Sequence, residues 1–104
     1  MLAQPISVGH ADLTCALTAL GHPVRLELVR QLRSPRRSKD LRVSRAGRPL
    51  ARQSLDFHLR ILLDAGLVVR LDATGPKESR FVADPSRLAA VATGLARFGR
   101  AAPE

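Results

Sequence analysis

The chain is poor in aromatic residues: three Phe in 104 residues, with no Trp and no Tyr. Recognition of single strands by stacking bases on rings therefore lacks its usual platforms. Cys15 is the one cysteine, which excludes an internal disulfide framework and fits a reducing compartment. No apolar run approaches the roughly 20 residues that span a bilayer, and Met1–His10 lacks the basic-then-apolar order of a secretion signal. These absences predict a cytoplasmic protein without membrane contact. Catalysis is not expected either. His10, His22 and His58 are far apart, no Ser/His/Asp grouping is evident, and no glycine-rich loop is available to cradle phosphate.

Acids are also scarce, nine against seventeen Lys and Arg, for a net charge of +8. The surplus is segregated. Ten of the cations and only two of the acids lie between Arg30 and Arg60, so that stretch alone carries +8 and the remainder is neutral. A solvated charge run would scatter its charges and interleave acids. A basic patch on an otherwise neutral globule is the footprint of a polyanion partner, most often nucleic acid. The length suits one domain with a modest core, and 45% hydrophobic with 25% charged residues reads as globular.

Along the chain, residues 1–10 read as a loose arm, 11–100 as one domain and 101–104 as a tail. Leu13, Ala16, Leu17 and Leu20 recur at helical spacing up to Gly21. Pro23 opens a second helix with Val24, Leu28 and Leu32 on one face, closed by Ser34-Pro35. Ser38 can cap a short third helix from Lys39 to about Ala46, before a turn at Gly47-Arg48-Pro49. A fourth helix is predicted from Ala51 to Ala65. Its Leu55, Leu59, Leu62 and Leu63 share one face, and Gln53, Asp56, Phe57, Arg60 and Asp64 the other. Leu67–Asp72 and Arg80–Ala83 read as a hairpin turned at residues 74–77, and Asp84-Pro85 starts a last helix. The expected fold is mainly α with a small β-hairpin, in the order ααααββα.

A short helix, a turn, a second helix with one polar face and a basic hairpin make a winged helix-turn-helix plan, in which the second helix enters the major groove. The runs Leu17-Thr18-Ala19-Leu20-Gly21-His22-Pro23-Val24-Arg25-Leu26-Glu27-Leu28-Val29 and Gln53-Ser54-Leu55-Asp56-Phe57-His58-Leu59-Arg60-Ile61-Leu62-Leu63-Asp64-Ala65-Gly66-Leu67-Val68 carry a resemblance. In that order, and with the hairpin, they resemble the ArsR/SmtB-type bacterial winged-helix repressors over nearly the whole chain. The resemblance implies a homodimer formed by the first and last helices, binding a roughly palindromic operator in double-stranded DNA and repressing transcription. The chain departs from that family in two places. The interval from Leu41 to Leu59 is a few residues longer, and Asp56 stands where many relatives carry an uncharged residue.

On this plan Arg52, Gln53 and Ser54 open the reading helix, where Gln can bind adenine and Arg guanine, each through two hydrogen bonds. Arg60 lies on the same face and is assigned to phosphate. Asp56 either accepts from a cytosine amino group or pairs with Arg52 or Arg60. Phe57 either meets a thymine methyl or packs under the wing. His58 borders the apolar face and reads as a hydrogen-bonded core histidine. Lys39, Arg42, Arg45 and Arg48, together with Arg36 and Arg37, supply phosphate attraction, and Lys77 and Arg80 extend it along the wing.

Leu13, Leu17 and Leu20 of the first helix and Leu88, Val91, Leu95 and Phe98 of the last are assigned to the dimer interface. No metal and no cofactor is expected. The family's Cys-x-Cys is replaced by Ser38-Lys39-Asp40-Leu41, and the last helix has no histidine. His10-x-Asp12-x-x-Cys15 is explained by a helix-start Asp and a buried, inert thiol, although Cys15 could also meet its twin across a dimer. The inducer is not legible. The rival reading is a winged-helix protein-interaction module with only non-specific DNA affinity. An RNA binder is disfavoured by the missing rings.

Overall fold

The computed structural model describes residues 10–71 and 79–99. The expected arm, apart from His10, and the tail fall outside these residues, as do the turn of the wing and Lys77. The described elements are α1 (His10–Leu20), α2 (Pro23–Gln31), a 3-10 turn (Ser38–Asp40), β1 (Ser44–Arg45), β2 (Arg48–Pro49), α3 (Arg52–Asp64), β3 (Val68–Leu71), β4 (Arg80–Ala83) and α4 (Pro85–Gly99).

Periodicity built the helices as expected. Val24, Leu28 and Leu32 are buried along α2, and Leu55, Leu59 and Leu62 along α3. They meet Leu13, Ala16 and Ala19 of α1, Val91 of α4 and Leu67 and Val68 at the start of the wing in one core. The ends of the helices also have identifiable causes. His22 caps α2 through its Nδ1, which accepts from the Val24 N–H at 3.2 Å. Asp84 caps α4, its Oδ1 accepting from the N–H groups of Ser86 and Arg87 at 3.0 and 3.2 Å. Gly66, at φ 75, takes the left-handed position that ends α3.

The wing pairs β3 with β4 antiparallel, with Arg70 opposite Phe81 and Leu71 opposite Arg80. Its inner edge is tied to the loop after α2. Arg36 and Phe81 exchange both backbone hydrogen bonds, at 3.0 and 2.8 Å, and the Ala83 N–H donates to the Leu32 carbonyl at 2.8 Å. The wing is thus a third layer against α2 and α3.

The third helix is corrected. In place of an α-helix from Lys39 to Ala46 there is one 3-10 turn, followed by a hairpin in which Ser44 faces Pro49 and Arg45 faces Arg48. The reason is burial. Leu41 and Val43 are buried at 3% and 7% exposure while Arg42 and Ser44 between and after them are exposed. That two-residue alternation suits extended chain, because a helix would turn residues 41 and 43 to nearly opposite sides. Ala46 and Gly47, at φ 54 and φ 79, make the two-residue turn, and the Leu50 N–H closes its base on the Val43 carbonyl at 2.8 Å. Part of the interval between Leu41 and Leu59 is therefore an exposed hairpin.

Candidate nucleic-acid interface

The outer face of α3 is open along its length. Arg52, Gln53, Ser54, Asp56, Phe57, Arg60 and Asp64 are all exposed, opposite the buried leucines. Two ion pairs run along it, Arg52 Nε to Asp56 Oδ1 at 3.6 Å and Arg60 Nε to Asp64 Oδ1 at 3.7 Å. Exposed helix pairs of this spacing contribute only about 0.3–0.5 kcal/mol, so either arginine exchanges its carboxylate for another anion at small cost. Ala51 precedes α3 without a capping side chain, which leaves the first backbone N–H groups of the helix to outside acceptors.

Around the start of α3 the basic residues converge. A pocket of about 440 Å³ is lined by Arg37, Ser38 and Lys39 of the 3-10 turn, Arg52 of α3, and Arg70, Ser79 and Phe81 of the wing. Arg52 donates from Nη2 to Ser38 Oγ at 3.0 Å, and Arg70 donates to Ser79 Oγ from Nε and Nη2 at 3.1 and 2.9 Å. Lys39 and Arg52 were legible as site residues. Arg70 and Ser79 were not, because they meet only through the strand register of the wing.

Arg45 and Arg48 face one another across the small hairpin, both exposed. Like charges opposite one another destabilise a strand pair, and a polyanion laid against them removes that repulsion. The hairpin hangs on α2 through Gln31, which donates to the Arg42 carbonyl at 2.7 Å and accepts from the Arg42 N–H at 3.2 Å. Gln31 also donates to Glu27, whose carboxyl is held down to about 2 by Arg30 first and Gln31 second. Arg42 itself is committed to its own turn, its Nη1 donating to the carbonyls of Lys39 and Leu41. Arg80 is exposed on β4.

The architecture is similar to a solved structure, an ArsR-like transcriptional regulator from Rhodococcus sp. RHA1. The two share 28% sequence identity at a TM-score of 0.71, over 86% of this chain and 81% of that one. That likeness supports the resemblance to ArsR-type regulators read from the sequence. No protein-family model matches the chain, and no curated protein does. The 3-10 turn, Ser38–Asp40, contains no cysteine. Among the described residues no group of three or more His, Cys, Asp and Glu is placed to hold a metal, and no helix is long and apolar enough to cross a membrane.

Several residues stand differently from expectation. Phe57 is 61% exposed, its ring edge-on to His58, and does not pack under the wing. His58 is buried, but its Nδ1 has no hydrogen-bond partner among the described residues, and its ring lies 4.5 Å from that of His22. Burial above all, then the neighbouring His22, Arg25 and Arg45, keeps the His58 imidazole below its ordinary pKa. Cys15 is exposed rather than buried, because it faces away from the Leu13/Ala16 side of α1.

The residues assigned to a dimer interface divide in two. Leu13 and Val91 are buried within the chain, at 5% and 4% exposure, where α4 lies over α1. Leu20 and Leu88 are half-buried against the same core. Leu17, Leu95 and Phe98 are exposed and line one shallow groove with Leu13 and Thr14.

Proposed function

We propose that the protein is a transcriptional repressor that binds a palindromic operator in double-stranded DNA as a homodimer. The observation that carries this reading is the exposed polar edge of α3, Gln53 to Arg60, beginning at the pocket where Arg37, Lys39, Arg52 and Arg70 gather. Such an edge offers base-reading side chains next to cations suited to phosphate, which is the division of labour in duplex recognition. The regulator from Rhodococcus supports the same reading. Gln53, Arg52 and Ser54 read bases in the major groove, while Lys39, Arg45, Arg48, Arg60, Lys77 and Arg80 meet the backbone. Asp56 orients Arg52 through their ion pair, and Phe57 offers a ring to a thymine methyl. Leu17, Leu95 and Phe98, the apolar groove between α1 and α4, form the centre of the dimer contact. The protein works in the cytoplasm and needs no metal for this task.

Selection of bound duplexes from a random pool tests the proposal. An enriched inverted repeat is the expected result. Gln53→Ala then relaxes preference at one position of each half-site by about 1–3 kcal/mol, whereas Arg48→Ala weakens every sequence alike. Absence of any enriched sequence would favour the protein-interaction module instead.

A further inference from the structure

We propose that the pocket between the last turn of α2, the end of β4 and the first turn of α4 binds a small aliphatic carboxylic acid. It encloses about 440 Å³, within the range of sites that take small organic ligands. Val29, Ala83, Pro85 and Leu88 line it with aliphatic surface, and Arg30 and Arg33 are its polar lining among the described residues. Ala83 is buried and Val29 and Leu88 are half-buried, whereas both arginines are exposed, so the hollow is apolar inside and cationic at its mouth. The two arginines differ in what they have left to give. Arg30 donates from Nε and Nη2 to the Glu27 carboxylate, which leaves Nη1. Arg33 makes no ion pair or side-chain hydrogen bond with any described residue.

Nearby negative charge is already engaged. Asp84 stands between two lining residues, but its Oδ1 accepts from the Ser86 and Arg87 N–H groups at the start of α4. The carbonyl end of α2 is blunted too, because the Gln31 carbonyl accepts from Arg36 Nε at 2.9 Å and the Leu32 carbonyl from the Ala83 N–H at 2.8 Å. One uncommitted guanidinium beside an aliphatic hollow complements one anionic head on one apolar body. A planar carboxylate fits the guanidinium fork, and burial of the body adds the hydrophobic gain. A polyanion finds too few free donors here, and a neutral hydrocarbon leaves Arg33 unused. No lining residue belongs to α3, so the site does not depend on the DNA-binding reading.

The test uses the full chain without DNA. Octanoate is titrated into isotope-labelled protein at constant ionic strength, and the amides of Arg33, Ala83 and Leu88 are followed by NMR. Saturable shifts are expected. Acetate, the head alone, and octanol, the body alone, should each bind about tenfold more weakly or worse. Arg33→Gln removes an exposed side chain that packs against nothing in the core, and it should weaken octanoate about tenfold while leaving octanol unchanged. Val29→Phe, which fills the hollow, should weaken both. Arg97→Gln, in the last turn of α4, should change neither. Shifts that stay linear, equal affinity for octanoate and octanol, or an Arg33→Gln protein that binds octanoate as tightly as its parent would overturn the site. A protein that fails these titrations and still selects an operator sequence loses this site alone, and the repressor reading survives.

Discussion

Ala46 holds a left-handed backbone, φ 54, in a two-residue turn whose second residue is Gly47. A side chain with a Cβ pays roughly 1 kcal/mol or more for that conformation, and Asn tolerates it best among non-glycine residues. Ala46→Asn is therefore expected to stabilise the protein by about 0.5–1 kcal/mol, read as a higher urea midpoint at unchanged slope. The imidazoles make a second prediction at this scale. His22 must be unprotonated at Nδ1 to cap α2, and His58 is buried with a nitrogen unpartnered among the described residues. Both hold their protons less tightly than the ordinary value of 6.5, chiefly through burial, then through Arg45 and Arg25 for His22 and through His22, Arg25 and Arg45 for His58. The unfolded chain thus binds more protons near that pH. Stability is full above 6.5 and falls as pH drops through the lowered folded values. The melting temperature should fall between about pH 7.5 and about pH 5.5, and His58→Leu should flatten that fall. An unchanged pH slope in the variant would contradict this account.

At the scale of elements, α1 and α4 test the dimer. Their groove carries Leu95 at 48% and Phe98 at 62% exposure, apolar surface that a lone chain leaves in water. Phe98→Glu is expected to shift the protein from dimer to monomer in sedimentation at micromolar concentration and to lower operator affinity with it, without unfolding, since Phe98 contributes little to the core. A monomeric parent protein would remove the interface. Elements also mark where sequence reading worked. The face of α3 was legible because thirteen residues repeat a 3.6-residue period, so Gln53 and Leu55 fell on the correct sides. The segment after Ser38 was not, because Leu41 and Val43 give only one step of alternation and Ser38 mimics a helix cap.

For the whole molecule the decisive quantity is the response to salt. If about six phosphates are neutralised per bound unit, log affinity should fall against log salt with a slope near −5, at roughly 0.9 per phosphate. Filter binding across a salt series measures it, and a flat line would exclude a phosphate-dominated contact. A twofold dimer also predicts half-sites about 34–36 Å apart, one turn of duplex.

Local order in the chain was enough to show the helix faces, the helix starts at Pro23 and Asp84, the wing strands, the charge segregation and the likeness to ArsR-type regulators. Each depends on residues within a few positions of one another, where the periodicity of backbone geometry leaves its mark. Only the folded chain decided that 44–49 is a hairpin, that His22 stacks on His58, and that Arg70 and Ser79 join Arg37, Lys39 and Arg52 around one pocket. His22 and His58 meet across thirty-six residues of chain, and Arg37 and Ser79 line one pocket across forty-two. Such meetings are set by strand register and helix packing, which bring together side chains whose spacing in sequence carries no trace of the encounter.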